Sequence, residues 1–150
     1  IDCIATDHAP HTLENKALGF PKAHAGMPGV ETSLPVMLTH AADGKCSIPD
    51  VVRWMCEGPS RVYGIQGKGR LQEGMDADLV LVDMESSRTI SDADTWTRVG
   101  WTAYEGISLT GWPVCTVVDG TIVHSRTAGG PNSGEILVEP GSVGRALRFA

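Results

Sequence analysis

The pattern of apolar and polar positions predicts an α-rich first half of the chain. Residues 1–6 form a mostly apolar run that stops at a polar cluster, which is typical of a short buried strand. Residues 12–28 lack periodicity and contain several glycines and prolines, so they predict a long loop of the kind that often covers a site. Between residues 31 and 42 apolar side chains recur at helical spacing, and Pro35 fits that helix if it lies in the first turn.

A second helix is indicated by residues 47–50, where Ser47 is a suitable N-cap and a proline and an aspartate follow. This helix is expected to end near Cys56, because Gly58 and Pro59 are residues that interrupt helices. Residues 60–63 then predict a short helical turn closed by a glycine.

Beyond residue 64 the pattern becomes that of a β-rich region. Residues 79–83 predict a strand, and residues 114–118 and 121–124 predict two more on either side of the hairpin dipeptide Asp119-Gly120. Residues 84–112 show no clean alternation and are interpreted as connecting loops. The tail from residue 127 onward has the composition of a linker, although Ile136, Leu137 and residues 143–149 could dock on a partner surface.

Charge and composition exclude some classes of function. The 150 residues carry 18 acidic and 12 basic side chains, a net charge of −6, without a cluster of lysine and arginine. Nucleic-acid binding is therefore not expected. No apolar run approaches the roughly 20 residues of a membrane span, and four widely spaced cysteines fit a reducing, cytoplasmic setting. The chain opens directly in an apolar run, so residue 1 is interpreted as a position inside a larger fold.

Candidate chemistry lies in residues 7–11, an aspartate and two histidines at the end of the first predicted strand. Carboxylate and imidazole groups at that place bind metals and carry catalysis in barrel enzymes. From spacing alone, Asp7 could equally end the strand by bonding backbone groups, and His8 and His11 could be structural. The structural or solvated interpretation is favoured for the other histidines and for the charged loop residues, namely His24, His40, His124, Glu14, Lys16 and Lys22.

The motif of residues 5–12, followed by residues 26–32, resembles the end of the barrel in dihydroorotases of the amidohydrolase superfamily. Further segments resembling that family are found at residues 67–80, 104–106 and 111–114, so the resemblance extends from residue 1 to about 125. It implies an α/β fold. Residues 1–63 would be the last strand–helix unit of a metal-dependent TIM-like (β/α)8 barrel, residues 64–125 part of a small β-sandwich domain, and residues 126–150 a C-terminal tail.

The resemblance also implies a reaction and a set of site residues. Dihydroorotases interconvert N-carbamoyl-L-aspartate and L-dihydroorotate, with zinc as one or two ions whose ligands would mostly precede residue 1. Asp7 would contact a metal and act as the general base and acid, and His11 would bind the substrate carboxylate. The backbone at Ala25 and Gly26 would add contacts from the loop, and His8 would support the site by hydrogen bonding.

Two departures from the family pattern lie away from this chemistry, at Ala103 and at residues 57–59. Two alternatives remain open: another cyclic amidohydrolase, such as a dihydropyrimidinase, hydantoinase or allantoinase, and a metal-free, dihydroorotase-like structural subunit. The expected partners are a small-molecule substrate and the remainder of the same polypeptide. A homo-oligomer or an association with aspartate carbamoyltransferase is also considered.

Overall fold

A computed structural model of the chain describes residues 1–126, 134–136 and 144–149. Short helices occupy the first half and an antiparallel sheet the second, as the sequence predicts. No helix in this described part is long and apolar enough to cross a membrane. The elements are α1 (Leu13–Lys16), α2 (Ser33–Ala42), α3 (Ile48–Val52), a π-turn (Arg53–Glu57), α4 (Gly58–Tyr63), β1 (Leu79–Thr89), a 3-10 turn (Asp92–Asp94), β2 (Ser108–Val118), β3 (Thr121–Arg126) and β4 (Gly134–Ile136).

Helix α2 packs against β2 and joins the two halves of the chain. Leu38 on the helix and Leu109 on the strand are buried. Gly111 approaches the helix so closely that a Cβ there would lie 2.6 Å from the Leu38 Cβ, which explains why this strand position carries no side chain. The Thr110 backbone N–H also donates to Thr39 Oγ1 at 2.8 Å. The predicted helix over residues 31–42 is thereby confirmed.

The second predicted helix begins where expected. Ser47 and Asp50 form a reciprocal capping box, in which the Ser47 N–H donates to Asp50 Oδ2 at 3.0 Å. The prediction that Gly58 and Pro59 interrupt the helix is wrong, because α3, the π-turn and α4 follow one another without a gap. The C-terminal prediction is confirmed: Gly64 closes α4 in the left-handed conformation.

The π-turn explains how the proline is accommodated. The Gly58 N–H donates to the Arg53 carbonyl, five residues back. In an α-helix it would donate to the Trp54 carbonyl, four residues back. Pro59 has no N–H to replace it. The Trp54 carbonyl is therefore free, and it accepts a hydrogen bond from the Ile4 N–H at 3.0 Å.

Residues 1–6 rest on this π-turn and do not form the predicted buried strand. Ile1 is 91% exposed, and the segment has no β-ladder within the described residues. The reason is physical: an apolar run becomes a strand only where a neighbouring strand bonds it, and here a helix carbonyl is the partner of Ile4. The segment is held close to the turn, since a Cβ on Gly58 would lie 1.9 Å from the Asp2 carbonyl oxygen.

The four strands form one antiparallel sheet in the order β1-β2-β3-β4. The Asp119-Gly120 hairpin is confirmed, with φ of +49° and +78° at its two residues. The interpretation of residues 84–112 as loops is partly wrong, because β1 continues to Thr89 and β2 begins at Ser108. Burial alternates along that part of β1, but its half-buried positions include Ser86 and Arg88, so apolar periodicity gives no signal.

The last described residues dock on the segment between α4 and β1. Phe149 forms an antiparallel bridge with Ile65, and the Gln66 N–H donates to the Arg148 carbonyl at 2.8 Å. Residues 144–149 thus pack on their own chain, and docking of the tail on a partner surface stays a prediction. Gly134–Ile136 pairs with β3, which the linker composition does not predict, and the rest of the predicted linker lies outside the described residues.

Candidate active site

Asp7 lies where the N-terminal segment turns away from the π-turn. Its backbone is left-handed, with φ of +46°, a conformation that costs a non-glycine residue about 1 kcal/mol. The side chain is exposed, and within the described residues no hydrogen bond or ion pair engages its carboxylate. The alternative in which Asp7 ends a strand by bonding backbone groups therefore has no support from these contacts.

His8 joins this turn to the loop that precedes α2. Its Nδ1 accepts the backbone N–H of Gly29 at 3.1 Å and that of Val30 at 3.3 Å. A ring nitrogen that accepts two N–H groups carries no proton, so a neutral His8 has its hydrogen on Nε2. This is the supporting hydrogen-bonding role that the sequence predicts for His8.

Gly26 brings the loop against the segment that carries the aspartate. The Ala9 N–H donates to the Met27 carbonyl at 3.1 Å, and His8 and Met27 form a parallel bridge. At Gly26, φ is +103°, and a Cβ there would lie 2.5 Å from the Ala9 Cβ. A glycine is required by both the conformation and the space. The backbone of Ala25 and Gly26 consequently lies beside the motif of residues 7–11.

His11 is half-buried and in contact with two residues far away in the sequence. Its carbonyl accepts a hydrogen bond from Trp101 Nε1 at 2.8 Å. Its ring meets the ring of His24 edge to face, with centroids 4.8 Å apart. This ring contact agrees with the structural interpretation of His24. Neither contact had a signal in the sequence, because both depend on the path of the intervening chain.

Lys16 is not the solvated charge that the sequence suggested. Its Nζ donates to the carbonyls of His24 and Gly26, at 2.8 Å and 2.9 Å, and lies 6.0 Å from the centroid of the Trp101 ring. His11 and the backbone of residues 24–26 thus belong to one local assembly, held by Lys16 and Trp101. Asp7 lies in the adjoining turn, next to His8, and makes no hydrogen bond or ion pair with this assembly among the described residues.

The described residues supply only part of a metal site. A catalytic zinc takes three protein ligands and leaves one position open. Among the described residues no group of three or more histidine, cysteine, aspartate and glutamate side chains is placed to hold an ion. Asp7 offers a hard carboxylate oxygen of the kind that zinc binds, so it fits as one ligand of a set.

A cavity of about 460 Å³ lies elsewhere, between the start of α2 and one face of the sheet. Arg88 stacks over Trp112 beside it, with the guanidinium carbon 4.5 Å from the ring centroid. Neither Asp7 nor His11 lines this cavity, and we assign it no part in the chemistry.

Comparisons with known protein families agree with this picture. A model described as the amidohydrolase family matches residues 1–123. A dihydroorotase of Methanothermobacter thermautotrophicus is 39% identical over 123 residues, 82% of this chain and 28% of that protein. A dihydroorotase of Pyrococcus furiosus is 38% identical over 149 residues, 98% of this chain and 34% of that protein. The chain thus spans about a third of these relatives' length.

Similar solved structures are hydantoinases. The L-hydantoinase (dihydropyrimidinase) from Arthrobacter aurescens matches with a TM-score of 0.79 and 36% identity, over 93% of this chain and 30% of that one. The D-hydantoinase from a Thermus species matches with a TM-score of 0.80 and 27% identity, over 95% of this chain and 31% of that one. The described fold therefore matches about a third of each of these enzymes' chains.

Proposed function

Because the chain belongs to the amidohydrolase family, we propose that it is the C-terminal part of a dihydroorotase, which interconverts L-dihydroorotate and N-carbamoyl-L-aspartate in pyrimidine biosynthesis. The observation that carries the proposal is the assembly of His11 with the backbone of residues 24–26, directly beside the segment in which Asp7 lies. The dihydroorotases among the relatives, at 38–43% identity, support the same reaction.

In this proposal residues 1–63 complete a TIM-like barrel and residues 64–125 form part of a β-sandwich. Two features support a missing neighbour. Residues 1–6 are apolar but have no ladder within the described chain, and β1 is an edge strand with exposed Leu79, Val80 and Leu81. Exposed apolar edges of this kind are normally covered. The proposed cover is the remainder of the same polypeptide.

Zinc is the proposed cofactor, and it would supply Lewis-acid polarisation of the ring carbonyl and a lower pKa for the attacking water. Asp7 would provide one oxygen ligand, and residues outside these 150 would provide the others. As a proton carrier, Asp7 takes a proton from the attacking water and returns it to the amide nitrogen as the ring C–N bond breaks. Its exposed carboxylate is accessible for both steps.

His11 is the proposed anchor for the substrate carboxylate. An imidazole N–H donates a hydrogen bond to a carboxylate, and it is stronger when one partner is charged. The Trp101 bond to the His11 carbonyl fixes the backbone from which the ring projects. Backbone N–H groups at Ala25 and Gly26 would add further donors to the same anion, because the loop lies beside residues 7–11.

A hydantoinase is the second candidate, favoured by one specific observation. An L-hydantoinase of Paenarthrobacter aurescens is 38% identical over 146 residues, which is 94% of this chain and 30% of that protein. The two reactions share ring opening at an amide bond but differ in the substrate, because dihydroorotate carries a carboxylate on its ring. The residue that discriminates between them is the proposed carboxylate anchor, His11.

The test compares hydrolysis of L-dihydroorotate, dihydrouracil and a 5-substituted hydantoin by the complete, metal-loaded polypeptide. We expect the highest kcat/KM for dihydroorotate. His11→Ala should raise KM for dihydroorotate about tenfold, the effect of one charge-assisted hydrogen bond, and leave the uncharged rings nearly unaffected. A preference for the hydantoin with no effect of the substitution would favour the second candidate. A polypeptide that binds no metal would favour the structural subunit.

A further inference from the structure

Lys16 occupies a place from which it reaches both parts of the proposed substrate site. It is the last residue of α1, a single helical turn that begins directly after the motif of residues 7–11. Thr12 caps this turn, since its Oγ1 accepts the Asn15 N–H at 3.4 Å, and the Lys16 N–H donates to the Thr12 carbonyl at 3.0 Å. The direction in which the Lys16 side chain leaves the backbone is therefore set by the chain next to His11.

From that position the ammonium group donates hydrogen bonds to the backbone carbonyls on both sides of Ala25. It donates to the carbonyl of the residue before, His24, and to that of the residue after, Gly26, at 2.8 Å and 2.9 Å. Hydrogen bonds from a charged donor are roughly twice as strong as neutral ones. Two such bonds, to carbonyls two residues apart, hold the His24–Ala25 and Gly26–Met27 peptide planes. We call this pair of hydrogen bonds the Lys16 clamp.

Because the peptide bond is planar, the Lys16 clamp also orients the backbone N–H of Ala25. In a trans peptide the carbonyl and the following N–H point in opposite directions. The one cis peptide in the described chain is Phe20-Pro21, so the peptide joining His24 to Ala25 is trans. Since the His24 carbonyl points at Lys16, the Ala25 N–H points away from Lys16. Lys16 therefore orients the Ala25 N–H from the opposite edge of the His24–Ala25 peptide plane.

Trp101 extends the clamp to His11. Its indole N–H donates to the His11 carbonyl at 2.8 Å, while its ring lies 6.0 Å from the Lys16 ammonium, within cation–π range. The rings of His11 and His24 also touch edge to face. The imidazole anchor and the backbone donors therefore share one support, of which Lys16 is the charged member.

We propose that Lys16 is a positioning residue for the substrate carboxylate: through the His24 carbonyl it orients the Ala25 N–H of the loop beside His11, and through the Gly26 carbonyl it holds the loop on the other side of that donor. The inference rests on the proposed dihydroorotase function. It makes Lys16 a determinant of substrate binding and leaves the proton transfer to Asp7. Its loss should consequently raise KM and spare kcat.

The variants for the test are Lys16→Met, which removes the charge and both bonds at similar length, and Lys16→Arg, which keeps a cation. Lys22→Met, an exposed lysine of the same loop, is the matched control. In the complete, metal-loaded polypeptide, Lys16→Met should raise KM for dihydroorotate about tenfold with kcat within about twofold, the effect of a misplaced charge-assisted contact. Lys16→Arg should recover part of the loss, and Lys22→Met should match the wild type.

Hydrogen exchange measured on the same proteins separates this inference from the proposed function. The Ala9 amide, which donates to Met27, should exchange faster in Lys16→Met than in the Lys22→Met control, because the loop loses its clamp. Unchanged exchange, or an unchanged KM in an active enzyme, would overturn the role of Lys16. A wild type that leaves dihydroorotate intact while Ala9 exchange still responds to Lys16→Met would refute the reaction and retain the clamp.

Discussion

Gly58 is the point at which the segment carrying Asp7 rests on the π-turn, and its replacement by alanine perturbs chiefly that contact and, to a smaller extent, the π-turn itself. The glycine has φ of −59° and ψ of −54°, which alanine adopts without strain. A Cβ there would lie 1.9 Å from the Asp2 carbonyl oxygen and 2.8 Å from that of Arg53. Both obstacles are backbone atoms, so the N-terminal segment must move by about an ångström or more to reach ordinary contact distance.

The magnitude follows from three contributions. Overpacking costs about 1–3 kcal/mol, and loss of the hydrogen bond from Ile4 to Trp54 costs about 1 kcal/mol. Alanine in a helix returns about 1 kcal/mol relative to glycine. The free energy of unfolding should therefore fall by about 1–3 kcal/mol. Because Asp7 is carried by the displaced segment, and a misplacement of about 1 Å can cost about 100-fold, kcat should fall as well.

The assay is thermal unfolding together with dihydroorotate hydrolysis by the complete polypeptide. Gly44→Ala is the control: φ there is +73°, and nothing lies within 4 Å of the added Cβ. Its free energy of unfolding should fall by about 1–2 kcal/mol from left-handed strain alone, and its kcat should stay at the wild-type value. A Gly58→Ala protein with wild-type stability and wild-type kcat would refute the contact between the segment and the π-turn.

Two further changes test the supports of the fold and of the loop. Asp78 accepts the Asp119 N–H at 2.8 Å, and its hydrogen bond with Lys68, followed by that N–H, lowers the pKa of its carboxyl. Asp78→Asn should cost about 0.5–1 kcal/mol at neutral pH, and the difference from wild type should shrink as pH falls below the ordinary value of 3.8, since the stabilising carboxylate is then protonated. A pH-independent difference in thermal unfolding would contradict this. His8→Ala should cost about 1 kcal/mol and speed amide exchange at Gly29, while His8→Asn, which retains an acceptor oxygen, should lose less; equal exchange in the two variants would argue against the His8 bond.

Local signals in the sequence were enough to predict several elements. The Ser47 capping box and the Asp119-Gly120 hairpin depend on residues within three positions of one another, and both are present. The helix over residues 31–42 was visible because its apolar side chains recur on the face that packs on β2. In each case the determining contacts are short-range or periodic.

The errors arise where the partner is distant or unusual. A strand was predicted for residues 1–6 from composition, but the bond of Ile4 goes to a carbonyl fifty residues away that only a π-turn leaves free. Gly58 and Pro59 looked like an interruption because a π-turn has no sequence signature of its own. Gly58 and Pro59 would have ended the helix if the preceding turn were α-helical, but the π-turn lets α4 continue from it.

The candidate site shows the same division. Asp7, His11, Ala25 and Gly26 were identified from motifs, and their catalytic and binding roles stay predictions. The structure brings His11 beside the loop of Ala25 and Gly26. The supporting role of His8 was predicted, but those of Lys16 and Trp101 were missed. Lys16 was interpreted as solvated, because its two carbonyl partners become neighbours only when α1 folds back on the loop. No periodicity or motif in a single sequence predicts that a helix will fold back onto a later loop in this way.

The central claim is that Asp7 carries the proton in a zinc-dependent dihydroorotase, and the most direct measurement is dihydroorotate hydrolysis by the complete polypeptide with Asp7 or with Asp7→Asn, at equal, measured metal content. Asparagine keeps the shape and an oxygen ligand but accepts no proton. If Asp7 carries the proton, the wild type is active and the metal-loaded variant is slower by about 100-fold or more, the usual share of general acid–base catalysis. A metal-loaded Asp7→Asn protein that works within a few-fold of the wild type would contradict that claim.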